Sequence, residues 1–279
     1  MKYRWKVLSS FPEKVERLAA QLGVIPLVAR LLLQRGLDDP EQARKFLQPS
    51  LEDLHDPFLM KDMDRAVERV FRAAETGEKV LIYGDYDVDG ITSTVVLKRA
   101  LEMLGISVDF HLPLRLEEGY GIQDAVLKRA KQDGYSLVIT ADNGIRAFEA
   151  ADAARELGLE MIVTDHHQPG ESLPSVHAIL NPHRPGCPYP DKNLAAVGVV
   201  FKLVQALFGK AGKEDVVCHF LKLVAIGTVA DMVPLTGENR IMVFHGLRAL
   251  SDPRNLGLKA LLVGSGIKGE VDQSDISFR

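Results

Sequence analysis

The spacing of apolar positions changes character once along the chain. Over residues 13–22 and 26–34 apolar side chains recur every three or four positions, which predicts two amphipathic helices. Asp39-Pro40-Glu41 opens a third, with an Asp cap followed by Pro at the first helical position. A connector around Pro49 and Pro57 leads to another helix over 63–75, stopped by Thr76-Gly77. From residue 79 short apolar runs alternate with helical stretches. Strands are expected over 79–83, 107–111, 137–140 and 160–164, and helices over 92–104, 123–132 and 146–157. A weaker strand at 178–180 and a Pro-rich loop at 182–190 precede helical segments at 195–208, 214–229 and 240–250. Strand–helix alternation with crossovers of this length predicts an α/β fold: a mostly parallel sheet with helices on both faces, preceded by a small helical N-terminal region. The expected division is 1–60 for that region, 61–265 for the main domain and 266–279 for the start of a connector.

Composition narrows the class. A chain of 279 residues, 46% hydrophobic, suits one large or two modest domains with a substantial core. The net charge of -4 does not advertise nucleic acid, so a local basic patch, metal ions or a further domain would have to supply positive charge. Cys187 and Cys218 are too few and too far apart for a disulfide framework, and read as reduced thiols of a cytoplasmic protein. The basic start, Met1 to Lys6, is not followed by the apolar core of a signal peptide. The apolar run over 27–33 is interrupted by Arg30 and too short to span a bilayer, so no membrane association is expected.

The chemistry concentrates at strand ends. Asp85, Asp87 and Asp89 occupy alternate positions directly after the first strand, in a strand-to-helix turn. Carboxylates so close repel one another unless a cation compensates them, and hard divalent ions prefer oxygen ligands. An EF-hand loop also begins Asp-x-Asp-x-Asp-Gly, but its twelfth position would be Val96 where a bidentate Glu is needed. A solvated acidic turn is the bland alternative. Two further strands run into Asp142-Asn143-Gly144 and Asp165-His166-His167, and in a parallel sheet these point to the same edge. Asp142-Asn143-Gly144 alone is a common turn. Asp231 sits in an otherwise apolar stretch, 225–234, where a carboxylate is costly unless paired, bound to a cation or capping a helix.

These four stretches, in order, resemble the DHH phosphoesterases, a family named for the tripeptide present here as Asp165-His166-His167. The local sequences 85–93, 142–145, 196–203 and 227–231 are similar to the bacterial branch whose members are single-stranded-DNA exonucleases. The segment 196–203 carries no ligand and should serve packing. The likeness runs from about Pro40 to the last residue, and the ordered set is specific.

The resemblance implies a two-metal, 5′-to-3′ exonuclease of DNA repair and recombination that uses Mn²⁺ or Mg²⁺. Single-stranded DNA is the implied substrate, and a helicase and a single-strand-binding protein are candidate partners. It places one ion on Asp89, Asp142, His166 and Asp231, and a second on Asp87 with Asp142 shared. Family members with a His four residues before Asp87 differ from this chain, which has Tyr83 there; the second ion should then keep more water or recruit Asp85. Two cations about 3.5–4 Å apart stabilise both the attacking and the leaving oxygen of an in-line displacement. Beyond the ligands, His167 is expected on a phosphate or leaving oxygen, and Asp165 as the acceptor that orients an imidazole. The final residues resemble an element cut before a second domain and an oligonucleotide-binding fold. Hydrolysis of short oligonucleotides, cyclic dinucleotides or pyrophosphate is the competing reading within the fold, and a metal-stabilised module that binds DNA without turnover the competitor outside it.

Overall fold

The computed structural model describes residues 11–115, 121–251, 253–267 and 269–278, so the basic opening residues and the last residue lie outside the described residues. The chain divides into two compact units, the first ending at Asp53 and the second beginning at Leu54, rather than at the expected 60/61.

The first unit contains α1 (Pro12–Leu22), α2 (Pro26–Gln34) and α3 (Pro40–Leu47). Each starts with Pro inside its first turn, and the side chain of Asp39 caps α3 by accepting the Gln42 N–H at 2.8 Å. Val15, Leu18, Ala29, Leu32 and Ala43 close a small core between them.

The second unit runs α4 (Met63–Thr76), β1 (Lys79–Tyr83), α5 (Val88–Met103), β2 (Ser107–His111), α6 (Asp124–Gln132), β3 (Tyr135–Thr140), α7 (Phe148–Glu156), β4 (Glu160–Thr164) and β5 (Ala178–Leu180). α8 (Ala196–Lys210), α9 (Leu221–Ala230), α10 (Gly237–Leu250), α11 (Leu256–Gly264) and α12 (Gln273–Phe278) follow. The five strands form one sheet in the order β2-β1-β3-β4-β5, and every pair is parallel. Alternate residues dictate the two faces. Tyr83, Val138, Met161, Val163 and Ile179 meet Leu127 of α6 and Ala150 and Ala154 of α7 on one side. Contacts from α4, α5 and α8 to β5, β1 and β4 cover the other. The connections leaving β1 and β3, through α5 and α7, run over opposite faces, so strand order reverses between β1 and β3, the position where parallel α/β sheets open a crevice.

Three expectations change. α5 starts at Val88, not 92, because the Asp87 side chain accepts the Gly90 N–H at 2.9 Å and caps the helix; Asp89 is therefore a first-turn helical residue, not a loop residue. The expected helix over 214–229 divides into a 3-10 segment, Glu214–Phe220, and α9. Residues 266–279, expected as the start of a connector, pack in part into the second unit: Ile267 and Val271 are buried with Leu250 and Leu258, and Ile276 of α12 packs against them.

The segment 196–203 is packing, as expected, yet it also holds a charge. Lys202 is fully buried, and its Nζ donates to the His55 carbonyl at 2.6 Å and to Glu238 Oε1 at 3.0 Å. The Tyr189 hydroxyl donates to the other oxygen of Glu238 at 2.5 Å, so the charge of the pair is satisfied from several directions.

Candidate metal centre

At the reversal point the ladder continues past the strand ends. Ala141 N donates to the Tyr83 carbonyl at 2.9 Å, toward β1, and Asp142 N donates to the Thr164 carbonyl at 3.1 Å, toward β4. Asp142 is thereby held with φ 69, a left-handed conformation that Asp tolerates better than most residues. Thr140 and Thr164 lock the same corner: Thr164 Oγ1 donates to the Thr140 carbonyl at 2.6 Å, and Thr140 Oγ1 to the Asn143 carbonyl at 2.6 Å.

Four separated stretches converge here. Ligand atoms of Asp89, His166 and Asp231 lie within 4.8 Å of one another, as do those of Asp85, Asp87 and Asp142 and those of Asp142, His166 and His167. Asp142 and His166 each belong to two of these groups, which makes the three sets one continuous centre. His166 lies between carboxylates, with Nε2 3.4 Å from Asp142 Oδ1 and Nδ1 3.7 Å from Asp231 Oδ2.

Asp89 is 1% exposed. Its two oxygens accept the backbone N–H groups of Ala196 at 2.7 Å and Val197 at 2.9 Å, at the start of α8. A helix N-terminus favours an anion, so α8 orients this carboxylate without supplying a side chain. Gly227 lets α9 approach: a Cβ there would collide with Thr92 Oγ1 and stand 3.1 Å from Asp89 Oδ1. Asp231, the C-cap of α9, is thus carried to the centre by a close helix contact.

Asp165 is saturated. Its Oδ1 accepts the N–H groups of His166 at 2.7 Å and His167 at 3.1 Å and lies 2.8 Å from His167 Nδ1, while Oδ2 accepts the Ile145 N–H at 2.9 Å. Asn181, fully buried, donates to the His167 carbonyl at 2.9 Å and fixes the other side of this loop. Asp142 is the opposite case, since its buried Oδ1 has no hydrogen-bond partner.

Electrostatics follow the geometry. Burial, then the neighbouring charge of Asp142, pushes the Asp89 carboxyl up to about 8. Burial and the charge of Asp87 push Asp142 up to about 9. Burial also raises Asp85 and Asp231. Burial alone would raise Asp165 too, but the hydrogen bond and charge of His167 outweigh it and its pKa falls. The same hydrogen bond raises His167. Acids forced toward neutrality around an unpartnered oxygen fit a site built for positive charge, and oxygen donors with imidazole suit a small divalent ion.

Every site residue expected from the sequence, namely Asp85, Asp87, Asp89, Asp142, Asp165, His166, His167 and Asp231, stands in this centre or directly behind it. Tyr83 does not join them. Its buried hydroxyl donates to the Gly121 carbonyl at 3.2 Å and accepts the Gln123 N–H at 3.2 Å, which turns it toward α6. The Ala196 and Val197 amides were not foreseeable from residue type, because any residue offers an N–H.

Fold and site together define a parallel α/β protein with a carboxylate–imidazole centre at its switch point. Residues 79–228 match the DHH family, N-terminal domain. The chain belongs to the DHH family. Among curated proteins, a single-stranded-DNA-specific exonuclease RecJ of Bacillus subtilis (strain 168) is 47% identical over 279 residues, covering 100% of this chain and 35% of that protein. That of Escherichia coli (strain K12) is 37% identical over 266 residues, covering 91% and 45%. Among solved structures, RecJ from Thermus thermophilus in complex with Mn²⁺ superposes with TM-score 0.83 at 30% identity, covering 99% of this chain and 39% of that one. The chain thus spans between 35% and 45% of the length of these relatives. No helix among the described residues is long and apolar enough to cross a membrane.

Proposed function

We propose that the chain is the catalytic part of a metal-dependent exonuclease that hydrolyses single-stranded DNA from its 5′ end. The observation that carries the reading is the Oδ1 of Asp142, buried without a hydrogen bond where two ligand groups meet. One Mn²⁺ or Mg²⁺ ion would be held by Asp89, Asp142, His166 and Asp231, and a second by Asp87 and Asp142 with Asp85 beside them. When bound, such a pair supplies Lewis acidity to the phosphodiester and lowers the pKa of water.

The chain's own residues do the rest. Asp165 engages Nδ1 of His167, which leaves Nε2 directed at a phosphate or leaving oxygen. The α8 amides keep Asp89 in place before any ion arrives, so little reorganisation is needed on binding. Substrate class is supported by the names of the relatives at 47% and 37% identity. A helicase that exposes the strand and a single-strand-binding protein that coats it are the partner classes proposed, and the cytoplasm the proposed compartment.

The test is Mn²⁺-dependent release of acid-soluble nucleotide from end-labelled single strands, with duplex DNA and pyrophosphate as controls. Mononucleotides released first from the 5′ end support the reading. Pyrophosphate turnover in preference to DNA, or tight DNA binding without products, overturns it.

A further inference from the structure

On the outer side of α5, away from the sheet, the second unit carries an open groove of about 530 Å³. Its floor is apolar and built from three elements: Val95 and Met103 of α5, Phe220 and Leu223 around the start of α9, and Leu258 and Leu261 of α11. Several of these side chains face solvent, with Val95 46%, Met103 37% and Leu261 62% exposed. The apolar row continues along α5 through Ile91 and Val88, at three- and four-residue spacing, to the turn that carries Asp87 and Asp89. Apolar surface gathered this way marks an interaction site more often than scattered exposure does.

The rim carries two cations, Arg99 and Lys222, with the His219 ring as a further polar group, and among the described residues no carboxylate lines it. Glu102, just outside, is shared by Lys98 and Arg99, so it neutralises only one of the two. Single-stranded nucleic acid stacks its bases on open aromatic faces, whereas Phe220 in this groove is only 5% exposed, and a second copy of this surface would set cation against cation. An acidic helix with apolar anchors matches both features.

We propose that this groove docks an acidic, amphipathic peptide segment of a partner protein, laid beside α5 with its apolar residues on the floor and its carboxylates at the Arg99, His219 and Lys222 rim. The inference is independent of the reaction assigned to the metal centre. Because the apolar row ends at the first turn of α5, a docked segment sits on the helix that holds Asp89.

A fluorescein-labelled helical peptide of about 14 residues, with Leu or Phe at i, i+3, i+4 and i+7 and Glu elsewhere, is the probe. Anisotropy should report saturable binding, weakened at least about tenfold when Lys replaces Glu in the peptide, and weakened by 0.5 M salt. Lys222→Glu, at a half-buried position, and, separately, Leu261→Asp, at a position 62% exposed, should each weaken it by about tenfold or more while circular dichroism stays unchanged. Equal binding of the acidic and basic peptides, absence of binding, or variants that bind like the parent overturn the proposal. Displacement of the peptide by a single-stranded oligonucleotide, or self-association abolished by Leu261→Asp in sedimentation, assigns the groove to another occupant and overturns it as well.

Discussion

Asp89 accepts the backbone N–H of Ala196 at 2.7 Å across 107 residues of chain. That bond, with its neighbour from Val197, holds a carboxylate inside the protein at an orientation set by a helix end and not by a cationic side chain. At 1% exposure this carboxylate has little solvent to balance it, so charge balance is left to an ion or to a bound proton.

Asp142→Asn should separate stability from ion binding. Removing one of several crowded buried carboxylates relieves repulsion, so the metal-free variant is expected to gain about 1 kcal/mol, read as roughly 2–4 °C in Tm. Mn²⁺ binding by calorimetry should fall at least about a hundredfold, and activity with it. A metal-free variant less stable than the parent would contradict the origin assigned to the raised Asp142 pKa.

The metal-free protein should lose stability as pH rises from about 4 to about 8. Asp89 and Asp142 ionise near 3.8 when unfolded but only near 8 and 9 when folded, so between those limits the unfolded state binds fewer protons and is favoured by raising pH. His167, raised above its ordinary 6.5, acts in the same direction, since its contribution is present below that value and lost as pH passes through its folded pKa. Asp165, lowered, contributes stability above 3.8 that is lost only in more acidic solution. Urea denaturation at pH 5, 7 and 9 with chelator measures this, and saturating Mn²⁺ should remove the decline.

Gly227→Ala should act at a distance on Asp89. The added methyl meets Thr92 Oγ1, Val197 Cγ1 at 2.9 Å and Asp89 Oδ1 at 3.1 Å, which forces α9 away from α5. A loss of about 1–3 kcal/mol is expected, together with weaker Mn²⁺ binding. Thr92→Ala in the same chain should recover part of both; no recovery would mean the strain lies elsewhere.

His167→Ala should lower the rate of phosphodiester cleavage by about a hundredfold or more while the Mn²⁺ content of the purified protein changes little. Its Nδ1 is already taken by Asp165. If both ions disappear with the ring, His167 is a ligand and the division of roles drawn here is wrong.

The fold was legible wherever side chains alone decide the structure. β1, β3 and β4 are buried on both faces, so continuous apolar runs such as Leu137-Val138-Ile139 mark them without tertiary information. The start of α5 was not legible, because Val88-Asp89-Gly90 has poor helix propensity and is helical only through the Asp87 cap. α11 was not legible because it is short and is held by burial of Leu258 rather than by its own pattern, while α12 answers to the element expected in the final residues. In the centre, acids and imidazoles after strands announce themselves, while the α8 amides and the clearance at Gly227 are properties of backbone and space. Tyr83 agrees with its reading as a departure from the acids: its hydroxyl is engaged by Gly121 and Gln123 on the α6 side, a direction that residue type alone does not give.

The order in which the centre's parts leave the ribosome is also set. Asp85 to Asp89, Asp142 and His166 emerge well before α8 and α9, which bring the supporting amides and Asp231. A growing chain that ends short of α9 carries the repelling acids without their brace or final oxygen donor. On the proposed ligand set, tight cation capture would wait on Asp231, and the ion would close assembly instead of starting it.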